Sequence, residues 1–128
     1  VFLSPLDVHI NRVPVDGRTV RVEYRAGRFL PACEADAAAE NERNEIWIDR
    51  GGESVVCRQI AGVLARRVVC RLAAGDRVQA GQRLGLMKFG SRFDVFLPER
   101  AEVLVVVGDR VRAGETVIAR LALRSNGA

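Results

Sequence analysis

One seven-residue phrase occurs twice in this chain with a single change, Gln79 against Arg112. Gly75-Asp76-Arg77-Val78-Gln79-Ala80-Gly81 returns as Gly108-Asp109-Arg110-Val111-Arg112-Ala113-Gly114. Glycine takes positive φ without a Cβ clash, and an aspartate side chain bonds nearby backbone N–H groups, so Gly-Asp is a tight-turn signal. Each copy leads into an apolar strand, Leu84-Gly85-Leu86 in one case and Val117-Ile118-Ala119 in the other. Two copies are too few for a solenoid. They predict a mainly β, single-domain, pseudo-symmetric β-sandwich.

The rest of the chain agrees with that class. Val20-Arg21-Val22-Glu23-Tyr24 alternates apolar with charged residues, as a half-buried strand does. Glu45–Asp49 and Ser54–Ile60 read as a hairpin across Arg50-Gly51-Gly52-Glu53. Leu64–Leu72 is a further strand, blurred by Arg66-Arg67 into an edge or bulge. Pro5 and Pro14 exclude a continuous helix at the start, and Asp16-Gly17 is a turn signal. At most one short helix is expected, within the polar patch Glu34–Asn44, where a loop is the alternative. Arg43 is expected to pair there with nearby carboxylates.

Nearly half of the 128 residues are apolar (48%) but only 5% are aromatic, so the core must be built from Val, Leu, Ile and Ala. Net charge is +4, which suits an anionic partner such as a phospholipid surface or nucleic acid. A solvated strand face explains the same charge. Cys33, Cys57 and Cys70 form no Cys-x-x-Cys pair, and their odd number argues for reduced thiols rather than a disulfide framework. Cys57 and Cys70 read as core residues. The single histidine, His9, gives a zinc site little support, and no metal is expected. No apolar run approaches the roughly 18 residues of a membrane span.

Three pieces carry chemistry in combination. Phe2-Leu3-Ser4-Pro5-Leu6-Asp7-Val8-His9-Ile10-Asn11-Arg12 opens the chain. Glu40-Asn41-Glu42-Arg43-Asn44 follows, and then Phe89-Gly90-Ser91, which stands between the strand-like runs Arg83–Lys88 and Phe93–Leu97. In this order, with Gln59-Ile60-Ala61-Gly62, Ala65-Arg66-Arg67 and the Gly-Asp-Arg-Val turns, they resemble the short bacterial form of the phosphatidylserine decarboxylase family. The resemblance covers nearly the whole chain. The Gly-Asp-Arg-Val wording also resembles the barrel-sandwich fold of lipoyl and biotinyl carrier domains.

The family resemblance implies a pyruvoyl-dependent enzyme that makes its own cofactor. Removing carbon dioxide from an amino acid leaves a carbanion, and a pyruvoyl carbonyl joined to the substrate amine as a Schiff base accepts that charge. The group derives from the Ser of a Gly-Ser pair, here Gly90-Ser91. The Ser91 hydroxyl attacks the Gly90 carbonyl, β-elimination releases a chain ending at Gly90, and the new terminus hydrolyses to pyruvoyl with loss of ammonia. Residues 1–90 become a β-chain-like piece and 91–128 an α-chain-like piece, held together as a non-covalent heterodimer within one catalytic domain, 1–128. His9 maps onto the family's Ser-Pro-x-x-x-His histidine, which implies a base for Ser91 and an acid for the carbanion. The implied partner is phosphatidylserine in a membrane, converted to phosphatidylethanolamine. The implied location is the cytoplasmic side of a bacterial cell membrane, peripherally bound. A homodimer is a further candidate, and no nucleic acid is expected.

The sequence departs from the family in two places. Arg12 stands where some members carry a second histidine. The family's Ser-Pro-Ala-Asp-Gly type motif, which lies upstream of the histidine, is not found within residues 1–128. Either its Asp belongs to a segment ahead of Val1 or the chain does without it, and self-cleavage of these residues turns on which. The alternatives are an unprocessed pseudoenzyme and a biotinyl- or lipoyl-type carrier that uses Lys88, the sole lysine. The strand before Lys88 is short for a carrier's attachment turn. Arg66-Arg67 is a weak candidate for phosphate.

Overall fold

Alternation along two adjacent strands sets the frame. β4 (Arg43–Asp49) buries Asn44, Ile46 and Ile48 and leaves Arg43, Glu45, Trp47 and Asp49 half-buried. β5 (Ser54–Ile60) buries Val55, Cys57 and Gln59 with the same period, and Ile60 as well. The two pair antiparallel from Arg43↔Ile60 to Asp49↔Ser54. Gly51 and Gly52 close the hairpin at φ 63° and 87°, and the Arg50 N–H donates to the Glu53 carbonyl at 2.7 Å. Two consecutive positive-φ glycines give the turn whose twist matches the strands.

In the computed structural model, residues 2–3, 10–27, 41–61, 68–87, 91–111 and 116–121 are described. The remaining strands are β1 (Phe2–Leu3), β2 (Ile10–Arg12), β3 (Gly17–Arg25), β6 (Val68–Cys70), β7 (Arg77–Val78), β8 (Arg83–Met87), β9 (Ser91–Phe96), β10 (Glu102–Val103) and β11 (Ala119–Arg120). They form a six-stranded sheet in the order β1-β9-β5-β4-β3-β7, a three-stranded sheet β2-β8-β6, and the pair β10-β11. The described residues contain no helix.

The core joins the first two sheets. Ile46, Ile48 and Cys57 from the large sheet meet Leu84, Val13 and Leu72, and Val78 of β7 joins them. Val15, Val22, Cys70 and Phe93 pack around this cluster. Each such aliphatic side chain contributes roughly 1.5–3 kcal/mol on burial. The mainly β sandwich expected from the turns is therefore the architecture found.

Gly17 is needed for more than a turn. It opens β3 between β4 and β7, pairing with Val78. A Cβ there would collide with the Asp49 carbonyl oxygen and stand 2.8 Å from Ile48 Cγ2. Two residues later β3 shifts register, the signature of a bulge at Val20.

Several expectations change at the edges. Arg43 and Asn44, read as the end of a helical or looped patch, are the first residues of β4, because the alternation that buries Ile46 and Ile48 extends back to Asn44. Arg43 Nη1 donates to the Asn41 carbonyl at 3.0 Å; among the described residues its bond is to backbone rather than to a carboxylate. The strand expected at Phe93 begins at Ser91, and the one expected at Val117–Ala119 is confined to Ala119–Arg120. Of Leu64–Leu72, Val68–Cys70 is strand; Arg66 and Arg67 lie outside the described residues, as do Cys33 and the rest of the patch up to Glu40.

Candidate active site

The chain crosses from the three-stranded to the six-stranded sheet between Met87, the end of β8, and Ser91, the start of β9. That link contains Lys88, Phe89 and Gly90. Gly90 and Lys88 lie outside the described residues, as does His9; for Ser91 the backbone is described. The amino-terminal segment meets the crossing from both sides. Leu3 pairs with Ser91 and Phe2 with Arg92, while Ile10 pairs with Leu86 and Asn11 with Gly85. Residues 4–9 and 88–90 are thus two short links anchored to the same two strand pairs. His9 directly precedes Ile10 in sequence.

Beside the crossing, the interior of the sandwich turns polar. Asn11, Asn41, Glu42, Asn44 and Gln59 are all buried. Gln59 is fully enclosed and is the register partner of Asn44 on one side and Phe93 on the other. Its Nε2 donates to Asn11 Oδ1 at 2.9 Å, and its Oε1 accepts from Asn44 Nδ2 at 3.2 Å. This amide chain links β4, β5 and β2, and so ties the two sheets. Asn41 Nδ2 donates to the Ala61 carbonyl at 2.7 Å, and the Ala61 N–H donates to the Glu42 carbonyl at 3.0 Å. These bonds hold the end of β5 where its next register partner on β9 is Ser91, since Ile60 pairs with Arg92. Buried amides in such numbers persist only when their hydrogen bonds are met.

The outer face of the same strands is charged and ordered. Arg92 grips Asp94 with two bonds, Nε to Oδ1 at 2.8 Å and Nη2 to Oδ2 at 2.7 Å. Arg58 bonds Glu45 at 2.8 Å and lies over the Phe96 ring, 4.8 Å from its centre. Burial works against ionisation of Glu45. Bonds from Trp47 Nε1 and Arg58, with the charges of Arg58 and Arg21, outweigh it and hold the carboxyl below its ordinary value. Cys57 is pushed up to about 12 by burial, so its thiol is a core group and no nucleophile at neutral pH.

The arrangement offers the neutral amides of Asn11, Asn41, Asn44 and Gln59, with the buried carboxyl of Glu42, around a strand-to-strand crossing that carries a serine. Among the described residues no cluster of acids, cysteines or histidines is arranged for a metal. An open cleft of about 650 Å³, lined by Asp16, Arg50, Arg77 and Gln79, lies at the Asp49–Ser54 end of the β4–β5 hairpin, away from the crossing. The sequence had singled out His9, Gly90 and Ser91 but not the amide chain. Its signal was present: Asn44 and Gln59 fall on the inward phase of strands whose other inward residues are Ile46, Ile48, Val55 and Cys57.

Residues 1–119 match the family model described as phosphatidylserine decarboxylase. The chain is 46% identical over 121 residues to the phosphatidylserine decarboxylase proenzyme of Prosthecochloris aestuarii, covering 94% of this chain and 56% of that protein. It is 49% identical to the proenzyme of Pelodictyon phaeoclathratiforme and 50% identical to that of Anaplasma phagocytophilum, again over 94% of this chain and 57% and 54% of theirs. The chain therefore spans little more than half the length of these relatives. No solved structure matches it significantly. Similarity of this extent, over nearly all of its residues, places the chain in the phosphatidylserine decarboxylase family.

Proposed function

We propose that this chain is the self-cleaving catalytic part of a pyruvoyl-dependent phosphatidylserine decarboxylase, with scission at Gly90-Ser91. The observation that carries the reading is the bracketing of the crossing. The segment containing His9 is paired to the strands on either side of the Gly90-Ser91 bond, at Leu3↔Ser91 and Ile10↔Leu86. A strand pair on each side limits the motion of a nucleophile and the base that activates it, which is what a proximity-driven reaction needs. The relatives bear the word proenzyme in their names, which fits a chain that must be processed.

Self-cleavage needs only the chain and water. His9 takes the Ser91 hydroxyl proton as the oxygen attacks the Gly90 carbonyl carbon and passes it to the Ser91 nitrogen; the peptide C–N bond breaks, leaving a free amine, and an ester replaces it. Loss of the Ser91 α-proton then expels the Gly90 carboxylate. The enamine left on residue 91 takes up water and releases ammonia, so a pyruvoyl carbonyl remains. The buried amides at the crossing fit such a group, because Asn11, Asn44 and Gln59 are neutral hydrogen-bonding side chains that add no charge of their own beside a carbonyl. When present, the pyruvoyl group supplies the electron sink for decarboxylation. His9 then holds the proton that the substrate carbon receives.

The substrate is a serine-headed phospholipid, so the working position is peripheral, on the cytoplasmic face of a bacterial membrane. The net charge of +4 favours an anionic bilayer. Among the described residues no helix is long and apolar enough to cross it. The two pieces, 1–90 and 91–128, stay associated because β9 is hydrogen-bonded between β5 and β1.

Intact mass of the denatured protein, expressed at its full natural length, tests the reading. Two chains meeting at Gly90 and Ser91 are expected, the smaller lighter by one ammonia than a serine-initiated chain and reactive toward hydrazine. Phosphatidylserine vesicles should release carbon dioxide, and Ser91→Ala should give one uncut, inactive chain. An uncut chain from the unsubstituted gene would overturn the proposal.

A further inference from the structure

Gln59 is the middle of a three-amide chain that crosses the interior from one sheet to the other. An amide has distinct donor and acceptor ends, so the chain has a direction. Asn44 donates to Gln59, and Gln59 donates to Asn11. Asn11 is thereby held with its oxygen toward Gln59 and its Nδ2 edge turned to the opposite side. Asn11 lies on β2 two residues after His9, and β2 pairs with β8 just before the crossing. Gln59 lies on β5 beside Ile60, the partner of Arg92, one residue past Ser91. The same side chain therefore touches the strand that follows the base and belongs to the strand that borders the nucleophile.

We infer that Gln59 is a positioning residue for self-cleavage: through Asn11 it sets where the His9 segment stands against the Gly90-Ser91 bond. The inference rests on the function proposed above. Apolar packing alone would fill this volume but would leave β2 free to shift along β8, whose register with it already breaks between Asn11 and Arg12. A directional bond fixes both the distance and the face of Asn11.

Two substitutions in the full-length protein separate positioning from packing. Gln59→Leu keeps bulk and removes the bonds to Asn11 and Asn44; self-cleavage should slow by about tenfold or more, the factor that one lost buried hydrogen bond is worth. Gln59→Glu keeps the shape and the acceptor for Asn44 but, when ionised, offers Asn11 no donor. Protonation restores that donor. Among the described residues, Asn44 on β4, Phe93 on β9 and Asn11 on β2 stand beside Gln59, and none of these side chains titrates. Glu42, just ahead of β4, is a buried carboxyl, and Cys57 is a buried thiol on the same strand as Gln59.

The readout is the rate of self-cleavage from pH 8 down to pH 5.5, each variant divided by unsubstituted protein at the same pH to remove any pH dependence common to both. The Gln59→Glu ratio should rise several-fold as pH falls, while the Gln59→Leu ratio stays low and flat. A structural role alone predicts that any change in the Gln59→Glu ratio is matched by a parallel change in its urea midpoint with pH, because a buried carboxylate destabilises the fold only when ionised. Flat ratios, a Gln59→Glu ratio that only follows that midpoint, or a folded Gln59→Leu protein that cuts at the unsubstituted rate, overturn the inference and leave the proposed function standing. If the unsubstituted protein never cuts, both fall together.

Discussion

The two Gly-Asp-Arg-Val turns close with the same bonds. In the first, the Asp76 N–H donates to the Ala73 carbonyl at 3.2 Å and the Ala73 N–H donates to Asp76 Oδ2 at 2.9 Å. In the second, Asp109 and Val106 exchange the equivalent pair at 3.1 and 3.0 Å. Gly75 and Gly108 take φ of 97° and 99°. Beyond the turns the pairing is offset by one residue: the Arg71 N–H donates to the Leu84 carbonyl, whereas the Leu104 N–H donates to that of Ile118 rather than Val117, the counterpart of Leu84. What differs most is the company. The first turn is stitched to β3 by bonds from the Gly75 N–H to Thr19 and from the Thr19 N–H to Asp76, and Val78 is buried. The second supports the two-stranded β10-β11 pair, with Val103, Val106, Val107 and Val117 exposed. Identical local chemistry can end in unequal stability, because a turn fixes geometry while its surroundings supply the burial.

The sharpest way to break this comparison is a charge. Val78→Asp places an unpaired carboxylate in the core and should cost about 3 kcal/mol or more, read as a lowered urea midpoint. Val107→Asp should cost below about 0.5 kcal/mol, because that side chain is already in water. Equal losses at the two sites would mean that the second hairpin is packed as well as the first. A finer comparison replaces each turn glycine. Gly75→Ala and Gly108→Ala impose the same local strain, about 1–2 kcal/mol at positive φ. Only Gly75→Ala should lower global stability by that full amount. Gly108→Ala should instead speed amide hydrogen exchange at Leu104 and leave the Ile46 and Cys57 amides unchanged.

This inequality also marks how far the sequence could be read. Both turns and the β3–β4–β5 alternation were legible, since each is written in neighbouring residues. The different fates of the two turns were not, because they depend on Thr19 and Val13, which accept from the Gly75 and Gly81 N–H groups across 56 (75 − 19) and 68 (81 − 13) residues of chain, a long-range closure that no local pattern records. Two- and three-residue strands such as β1 and β2 are too short to show a period, so their placement on either side of the crossing was hidden. At the candidate site, Ser91 was identified through the flanking strands and the family motifs. The Asn11–Gln59–Asn44 chain was missed, because a polar residue on an inward phase reads as a break in the pattern until its partners are seen. Gly17 was read as turn punctuation, and its close contact with β4 required the third dimension.

Ion pairs give the smallest and most selective contrast. Arg58 meets Glu45 at 2.8 Å with side chains 29% and 18% exposed, whereas Arg120 and Glu102 stand 3.7 Å apart at 71% and 64%. The first pair is fixed by the Trp47 indole and the Phe96 ring, and the second joins the two strands of the exposed hairpin. Glu45→Gln should cost about 1 kcal/mol at pH 7, and Glu102→Gln nothing measurable. The sign of the pH dependence follows from the lowered carboxyl of Glu45. The folded state holds the charged form more tightly than the unfolded chain, so the stabilisation is complete above the ordinary value of 4.5 and is lost as pH falls through the lower folded value. Melting temperatures of Glu45→Gln and unsubstituted protein should therefore differ at pH 7 and converge below pH 4.5, while those of Glu102→Gln coincide throughout. A gap at Glu45 that persisted in acid would assign its effect to the Trp47 bond rather than to charge, and would make the sheet's advantage over the hairpin one of packing alone.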